Sequence, residues 1–402
     1  MDLATPVLQA DEGFRETRQL IEMSALLLDL RRKTSVAATT DEARSIFKIA
    51  AGNGWRRQVY SAVIVQAYAT HERFVRDLAK AVGDFLTETY ATYDDLPRRT
   101  KDEHMKLAVR RLQDVTERGH SQEVVDPQRI LSRLTACLDG GLQLNLDVLV
   151  RHPANYRSGV VEEVFSRFGL DVRTTSSRED LSVLVGGVLN GVYASAASVV
   201  DDLADRRNQV AHGGLVEEIL GAEDLAGIVD AVAGYDLWLA RHVADCLLSD
   251  LIRRNGTPIA TVDRTWRNPN TGISSIARLV DVASSLIRGD VVYVVIPQTA
   301  KASTCSIVSI QVHNEPADAA KPGGGPFGVD LGHGVTKGVR IYVLNDRWKS
   351  IANALRRVAD LAPIGQQDRA IASLVPSQHE PEAAEMVVLG GMTAPATEPA
   401  TE

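Results

Sequence analysis

From Phe14 to about Arg254, apolar residues recur three and four positions apart with almost no alternating segments, a pattern that predicts one helix after another. The clearest case begins near Gln58. Ala67, His71, Phe74, Leu78, Ala81 and Phe85 make one row, and Tyr68, Glu72, Val75, Ala79, Val82 and Leu86 make the row beside it. Residues at these spacings share a helix face, so this helix is expected to bury a wide one, interrupted by His71 and Glu72. A second helix is expected from about Leu181 to Ala211, with Val192, Val199, Leu203 and Val210 on its stripe. Gly213-Gly214 stops it, because glycine takes the left-handed conformation that ends helices.

After Asn255-Gly256 the period changes to that of strands. β-Branched runs occur at Ile259 to Val262, Ile273 to Val280, Val291 to Ile296, Ile307 to Val312 and Val339 to Leu344. Turn-prone stretches such as Arg267-Asn268-Pro269-Asn270, Gly289-Asp290 and Pro322-Gly323-Gly324-Gly325 separate them, the spacing of a small barrel or sandwich. A helix is expected from Arg347 to Leu361, and a disordered tail, rich in Glu, Ala, Thr and Pro, past about Pro376. The chain thus reads as a multidomain α and β protein: an all-α domain with an N-terminal helical extension over 1–254, an all-β barrel over 255–346, a helical segment over 347–375 and a tail over 376–402.

Composition narrows the chemistry. At 402 residues with 24% charged and 45% hydrophobic residues the chain has the make-up of a globular protein of two or three domains. No apolar run is long enough to predict a membrane span, and Met1 to Ala10 lacks the pattern of a secretory signal, which together point to the cytoplasm. Cys137, Cys246 and Cys305 are isolated, with no CxxC pair; they read as small buried hydrophobes, and neither a metal nor a cofactor is expected. A net charge of −8 argues against bulk electrostatic coating of nucleic acid, so any RNA contact must be local.

The segment Arg206-Arg207-Asn208-Gln209-Val210-Ala211-His212-Gly213-Gly214 holds the candidate chemistry. Arg206 has Asp202 four residues before it, a ready ion pair, whereas Arg207 has Leu203 and Ala204 behind it and no acidic partner on its own helix. Asn208 and His212 share a face, but Arg207 and His212 lie about 140° apart on an ideal helix. They would meet at one phosphate through the reach of arginine, through loosening at the glycines, or through a facing second copy. His212 in the last turn is suited to proton exchange near neutral pH, and an arginine to holding the charge that develops on phosphorus. On the residues alone, the plainer account is that Arg207 packs on a neighbouring helix and His212 caps carbonyls. Glu72, a carboxylate in an apolar row, needs a partner, for which Arg207 or Arg76 is placed; His71 reads as a hydrogen-bonded core or rim histidine.

ADRRNQVAHGG resembles the signature of HEPN ribonucleases, in particular the RN-x-x-AHG form of the RiboL-PSP type. VIVQAYATHERFVRDLAKAVGDFL is similar to that family's first long helix, and NYRSGVVEEVFSRFGLDV to its link before the motif helix, so the resemblance covers roughly Arg56 to Asp250. It implies that Arg207 and His212 are catalytic, that Asn208 is a supporting polar group, and that two protomers form a composite cleft. Glu72 is carried as a supporting residue, with a structural ion pair equally open. It further implies metal-independent cleavage of RNA by the ribose 2′-OH, in a toxin or antiviral defence effector with an antitoxin or regulatory partner.

GDVVYVVI, STCSIVSIQVHNEPADAAKPGGGPFGVDL and GVRIYVL resemble the second domain of translational GTPases such as elongation factor Tu, although the chain has no GxxxxGK[ST] P-loop. This resemblance implies a tRNA or ribosomal RNA target; reuse of the barrel for oligomerisation or protein docking is the other reading. Two further functional classes stay open: a non-catalytic RNA- or ribosome-binding adaptor on a degenerate HEPN scaffold, and an interaction scaffold that touches no RNA.

Overall fold

The computed structural model describes residues 2–33, 40–118, 126–173, 193, 195–213, 219–295, 302–313, 315–323 and 326–361. Ten helices are numbered here in chain order among these residues. They are α1 (Ala4–Lys33), α2 (Asp41–Ala50), α3 (Asn53–Thr89), α4 (Arg98–Arg118), α5 (Pro127–Leu138), α6 (Leu146–Leu149), α7 (Ser158–Ser166), α8 (Ala196–Ala211), α9 (Ala222–Asn255) and α10 (Asp346–Ala359). The two rows read on α3 are both on its buried side. Every member is buried except Glu72, which is half-exposed at the edge.

α9 is the axle of the helical part. Residues 231–240 are all buried, which requires cover on every side, and α1, α3, α8 and α10 supply most of it. Its C-cap is Gly256, where a Cβ would sit 2.4 Å from the Ile252 carbonyl oxygen, so the chain turns there through a space that only glycine leaves. Arg254 lies over the Tyr90 ring and donates to the Thr89 carbonyl at 3.0 Å, tying the C-terminal ends of α9 and α3 together.

The strands follow at once. They are β1 (Thr257–Trp266), β2 (Ile276–Val280), β3 (Leu286–Ile287), β4 (Val291–Val295), β5 (Ala302–Ser306), β6 (Ser309–Val312), β7 (Glu315–Ala317), β8 (Ala319–Ala320), β9 (Phe327–Asp330) and β10 (Arg340–Val343). Eight form an antiparallel sheet in the order β5-β4-β10-β1-β2-β9-β6-β7, and β3 pairs with β8. The result is a half-barrel around an apolar core of residues such as Ile259, Leu279, Phe327 and Ile341. β4 shows how it joins the helices: Val292 and Val294 point into this core, while Tyr293 and Val295 belong to the helical core with Leu344 and Leu355. Side chains alternate faces along a strand, so a strand buried on both sides is a continuous apolar run, as Val292 to Val295 is.

The helix expected from Leu181 is described from Ala196; 181–192, Gly214 and the tail past Pro376 lie outside the described residues. All three cysteines are free thiols, two of them buried. Among the described residues no helix is long and apolar enough to cross a membrane.

Candidate functional site

α8 begins at Ser195, whose side chain accepts from the Ser198 backbone N–H while Ser198 returns a bond to the Ser195 backbone. It ends at His212, the C-cap, and Gly213 follows with φ +64°, the left-handed geometry that turns the chain out of the helix. Leu203 and Ala204 are buried against α3 and α9, which orients the remaining faces.

The segment Asn155 to Ser158, leading into α7, runs antiparallel along one face of α8. The Ser158 N–H and hydroxyl donate to Asp201 at 2.8 and 3.0 Å, Arg157 pairs with Asp205, and Asn155 Nδ2 donates to Asn208 Oδ1 at 2.8 Å. Positions 201, 205 and 208 share a face, and His212 continues their row. The segment is held from the other side by α3. The Tyr68 hydroxyl accepts from the Tyr156 N–H at 2.9 Å, and His71 Nε2 donates to the Tyr156 carbonyl at 3.1 Å.

Behind this grip His71 is wholly buried, with Nδ1 2.7 Å from Asp236 on α9. Burial disfavours the charged ring, but the Asp236 carboxylate, its hydrogen bond and the Tyr156 carbonyl outweigh that, so His71 keeps its proton to a higher pH than an exposed histidine. Both ring nitrogens face acceptors, the arrangement an imidazolium satisfies. His71 is thus the hydrogen-bonded core histidine its place on the helix predicts.

The two arginines differ as their spacing predicts. Arg206 donates to Asp202 at 2.7 Å and to the Tyr60 hydroxyl at 3.0 Å, and the Tyr193 hydroxyl also donates to Asp202. Arg207 has no carboxylate within 4 Å among the described residues. Its guanidinium lies 5.3 Å from the centroid of the Tyr68 ring, and Nη1 donates to Asn208 Oδ1 at 3.3 Å. Because arginine only donates, Asn208 must turn its oxygen toward Arg207, and Asn155 must offer that oxygen its NH₂ group.

Arg207, Asn208, Asn155 and Tyr68 therefore form one connected group, half-buried between α3 and α8. His212 stands at the exposed end of the helix, and its ring makes no hydrogen bond among the described residues. Within a single chain the structure joins Arg207 to Asn208 and leaves the His212 ring without a hydrogen bond to either, one turn beyond Asn208 at the exposed end of the helix. Glu72 makes no ion pair among the described residues, neither with Arg207 nor with Arg76. It sits one turn from Tyr68, and its charge, after burial itself, helps push the Tyr68 hydroxyl up to about 12. Its only half-buried carboxylate remains hydrated, which removes the need for the partner that a fully apolar row would demand.

Tyr68, Asn155 and Tyr156 were not singled out from the sequence. Tyr68 stands among apolar neighbours on a row that reads as core, and Asn155-Tyr156 in a connecting segment whose only signal is proximity to the α7 start. Among the described residues no cluster of three His, Cys, Asp or Glu side chains is arranged to hold a metal ion.

A family model, RiboL-PSP-HEPN, matches residues 34–235, half of the 402-residue chain. The chain belongs to the RiboL-PSP-HEPN family. The match begins earlier than the Arg56 expected from the sequence resemblance and ends within α9, so the HEPN region includes α2 to α8 and contains Glu72, Arg207, Asn208 and His212. α1 lies outside the match yet packs into the same core as the HEPN helices. No curated protein and no solved structure matches the chain. The HEPN family generally includes ribonucleases, and membership points to a nuclease-like or RNA-related function.

Proposed function

We propose that this HEPN protein is a metal-independent endoribonuclease in which Arg207 and His212 are catalytic and Asn208 supports Arg207. The observation that carries the reading is the contrast on α8: Asp202 and Asp205 pair with arginines and Asp201 takes two hydrogen bonds from Ser158, whereas Arg207 has no carboxylate within reach among the described residues and rests on the Tyr68 ring and the Asn208 amide. A cation kept on an aromatic face and an amide oxygen retains its charge for an incoming phosphate.

In the proposed reaction the 2′-oxygen bonds to the adjacent phosphorus and the P–O5′ bond breaks. The products are a 2′,3′-cyclic phosphate and a 5′-hydroxyl, with no water consumed. A base must take the 2′-OH proton and an acid must supply one to O5′, while Arg207 stabilises the charge on the non-bridging oxygens. Two proton transfers at one phosphate are served by two copies of the chain facing each other, which bring two His212 rings and two Arg207 side chains to one cleft. The dimer also answers the angle between Arg207 and His212 on a single helix.

The segments GDVVYVVI and GVRIYVL, by their likeness to translation factors, direct the proposal toward tRNA or ribosomal RNA as substrate. The biological role that follows is a toxin or antiviral defence effector, restrained by an antitoxin or other regulatory protein. Purified protein and its His212→Ala variant are to be incubated with total tRNA and total RNA, with expression of each compared for toxicity. Wild-type protein is expected to yield cyclic-phosphate ends and to slow growth, and the variant neither. Equal RNA binding by both proteins, with no cleavage and no effect on growth, would instead identify the non-catalytic adaptor.

A further inference from the structure

The ribonuclease reading leaves open what aims Arg207, and the geometry points to Tyr68. A surface arginine without an ion-pair partner samples many rotamers, and ordering it for a phosphate costs entropy on each binding event. A carboxylate partner would order it but also neutralise it and compete with the phosphate. An aromatic face does neither: it holds the guanidinium plane and leaves the N–H edge open. Arg207 has five N–H donors, and Nη1 to Asn208 is the one hydrogen bond its guanidinium makes among the described residues.

Tyr68 is itself held in place by burial and a hydrogen bond. Its ring is buried in α3, and its hydroxyl accepts from the Tyr156 N–H, while the carbonyl of the same residue is held by His71 one turn further on. This two-point grip sets Asn155, the residue just before, against Asn208 Oδ1, the oxygen that also receives Arg207. One tyrosine therefore controls both supports of the guanidinium, the ring directly and the amide through the Asn155-Tyr156 segment.

We infer that Tyr68 is the positioning residue of this site, holding Arg207 in line with the scissile phosphate of RNA without neutralising it, and that Asn155 is its second support. The inference rests on the ribonuclease reading. Its signature is non-additivity with Arg207, because a residue that acts through Arg207 has nothing to aim once Arg207 is gone.

The test measures kcat and KM on total tRNA, and melting temperature, for the full chain carrying Tyr68→Leu, Tyr68→Phe, Asn155→Ala or Arg207→Ala, and for Tyr68→Leu and Asn155→Ala each combined with Arg207→Ala. Loss of aim by an ångström or so is expected to lower kcat of Tyr68→Leu by about 10- to 100-fold, with KM changed far less. Tyr68→Phe, which keeps the ring under Arg207 but gives up the hydroxyl that holds the Tyr156 N–H, is expected to fall between wild type and Tyr68→Leu. In the Arg207→Ala background neither second substitution is expected to lower the residual rate further. If Tyr68→Leu cleaves as wild type does, or lowers the residual rate of Arg207→Ala by the same factor as it lowers wild type, the inference is overturned. Where Tyr68→Leu does not fold, the Asn155→Ala cycle decides in the same way. Wild-type protein that does not cleave RNA, whether or not it binds it, removes the ribonuclease reading itself, whereas active wild type with additive cycles removes only the role of Tyr68.

Discussion

Asp201, Asp202 and Asp205, on the early turns of α8, each answer a donor on another element: the start of α7, Tyr193, and Arg157. Arg207 and His212, on the last turns of the same helix, have no carboxylate opposite them among the described residues. Both regions are rich in charge, and residue type does not separate them. What separates them is what the neighbouring segment supplies: Ser158 donates to Asp201 and Arg157 gives Asp205 a counter-charge, but only an amide meets 208. Carboxylates on the earlier turns of α8 tie it to other elements; Arg207, further along, rests on an aromatic face and an amide.

The sharpest contrast comes from extending the tied region to its most buried member. Asp236→Ala leaves His71 without its carboxylate and is expected to lower stability by about 3–5 kcal/mol, the cost of breaking a buried pair. Urea denaturation of the purified variant measures it. The same pair sets a pH dependence. The folded-state pKa of His71 is raised, so its stabilisation is complete below the ordinary histidine value of about 6.5 and is lost as pH climbs through the raised value. Stability is therefore expected to fall between neutral and alkaline pH, and Asp236→Asn to flatten that slope; a stability that rises over this range would break the assignment.

At the open end the expectation reverses. Arg207→Ala is expected to cost about 10²- to 10³-fold in cleavage rate, the scale for a group that meets developing charge. Its stability should change by no more than about 1 kcal/mol, the contact with Tyr68 being a cation on an aromatic face. A variant that melts far below wild type while keeping its rate would place Arg207 with the tied residues instead.

The smallest effects grade the tied region internally. Asp201→Ala removes a charged acceptor from the first N–H of α7 and is expected to cost about 1–2 kcal/mol. Asp205→Ala removes a surface ion pair with Arg157, each side chain about half exposed, and is expected to cost about 0–1 kcal/mol. Thermal melts of the two variants side by side decide this ranking.

Much of this protein was legible without coordinates. The buried rows of α3, the end of α8 at Gly213, the switch to strands after Gly256 and the pairing of Arg206 with Asp202 follow from spacing, because each depends on residues within a turn or two. β1, β2, β4, β6 and β10 were visible as β-branched runs. β5, with the sequence ASTCS, and the short β7 and β8 were not, since such residues become strands only when an ordered neighbour offers its edge. The barrel expected over 255–346 is a half-barrel in the structure: periodicity tells which residues face inward and leaves open whether the outermost strands meet.

The sequence by itself determined that Arg207 has no partner on its own helix, and it carried the family signature around it. The tertiary structure alone decided what lies opposite: Tyr68 beneath the guanidinium and Asn155 beside Asn208, the latter contact spanning 53 residues and the Tyr156 to Tyr68 contact behind it spanning 88. It also decided that Glu72 stays at a hydrated edge rather than reaching Arg207. Helical spacing fixes which neighbours a side chain can touch within its own element. Which donors and acceptors arrive from elsewhere depends on how the apolar faces of α3, α8 and α9 close on one another, and those faces set the position of every polar group between them.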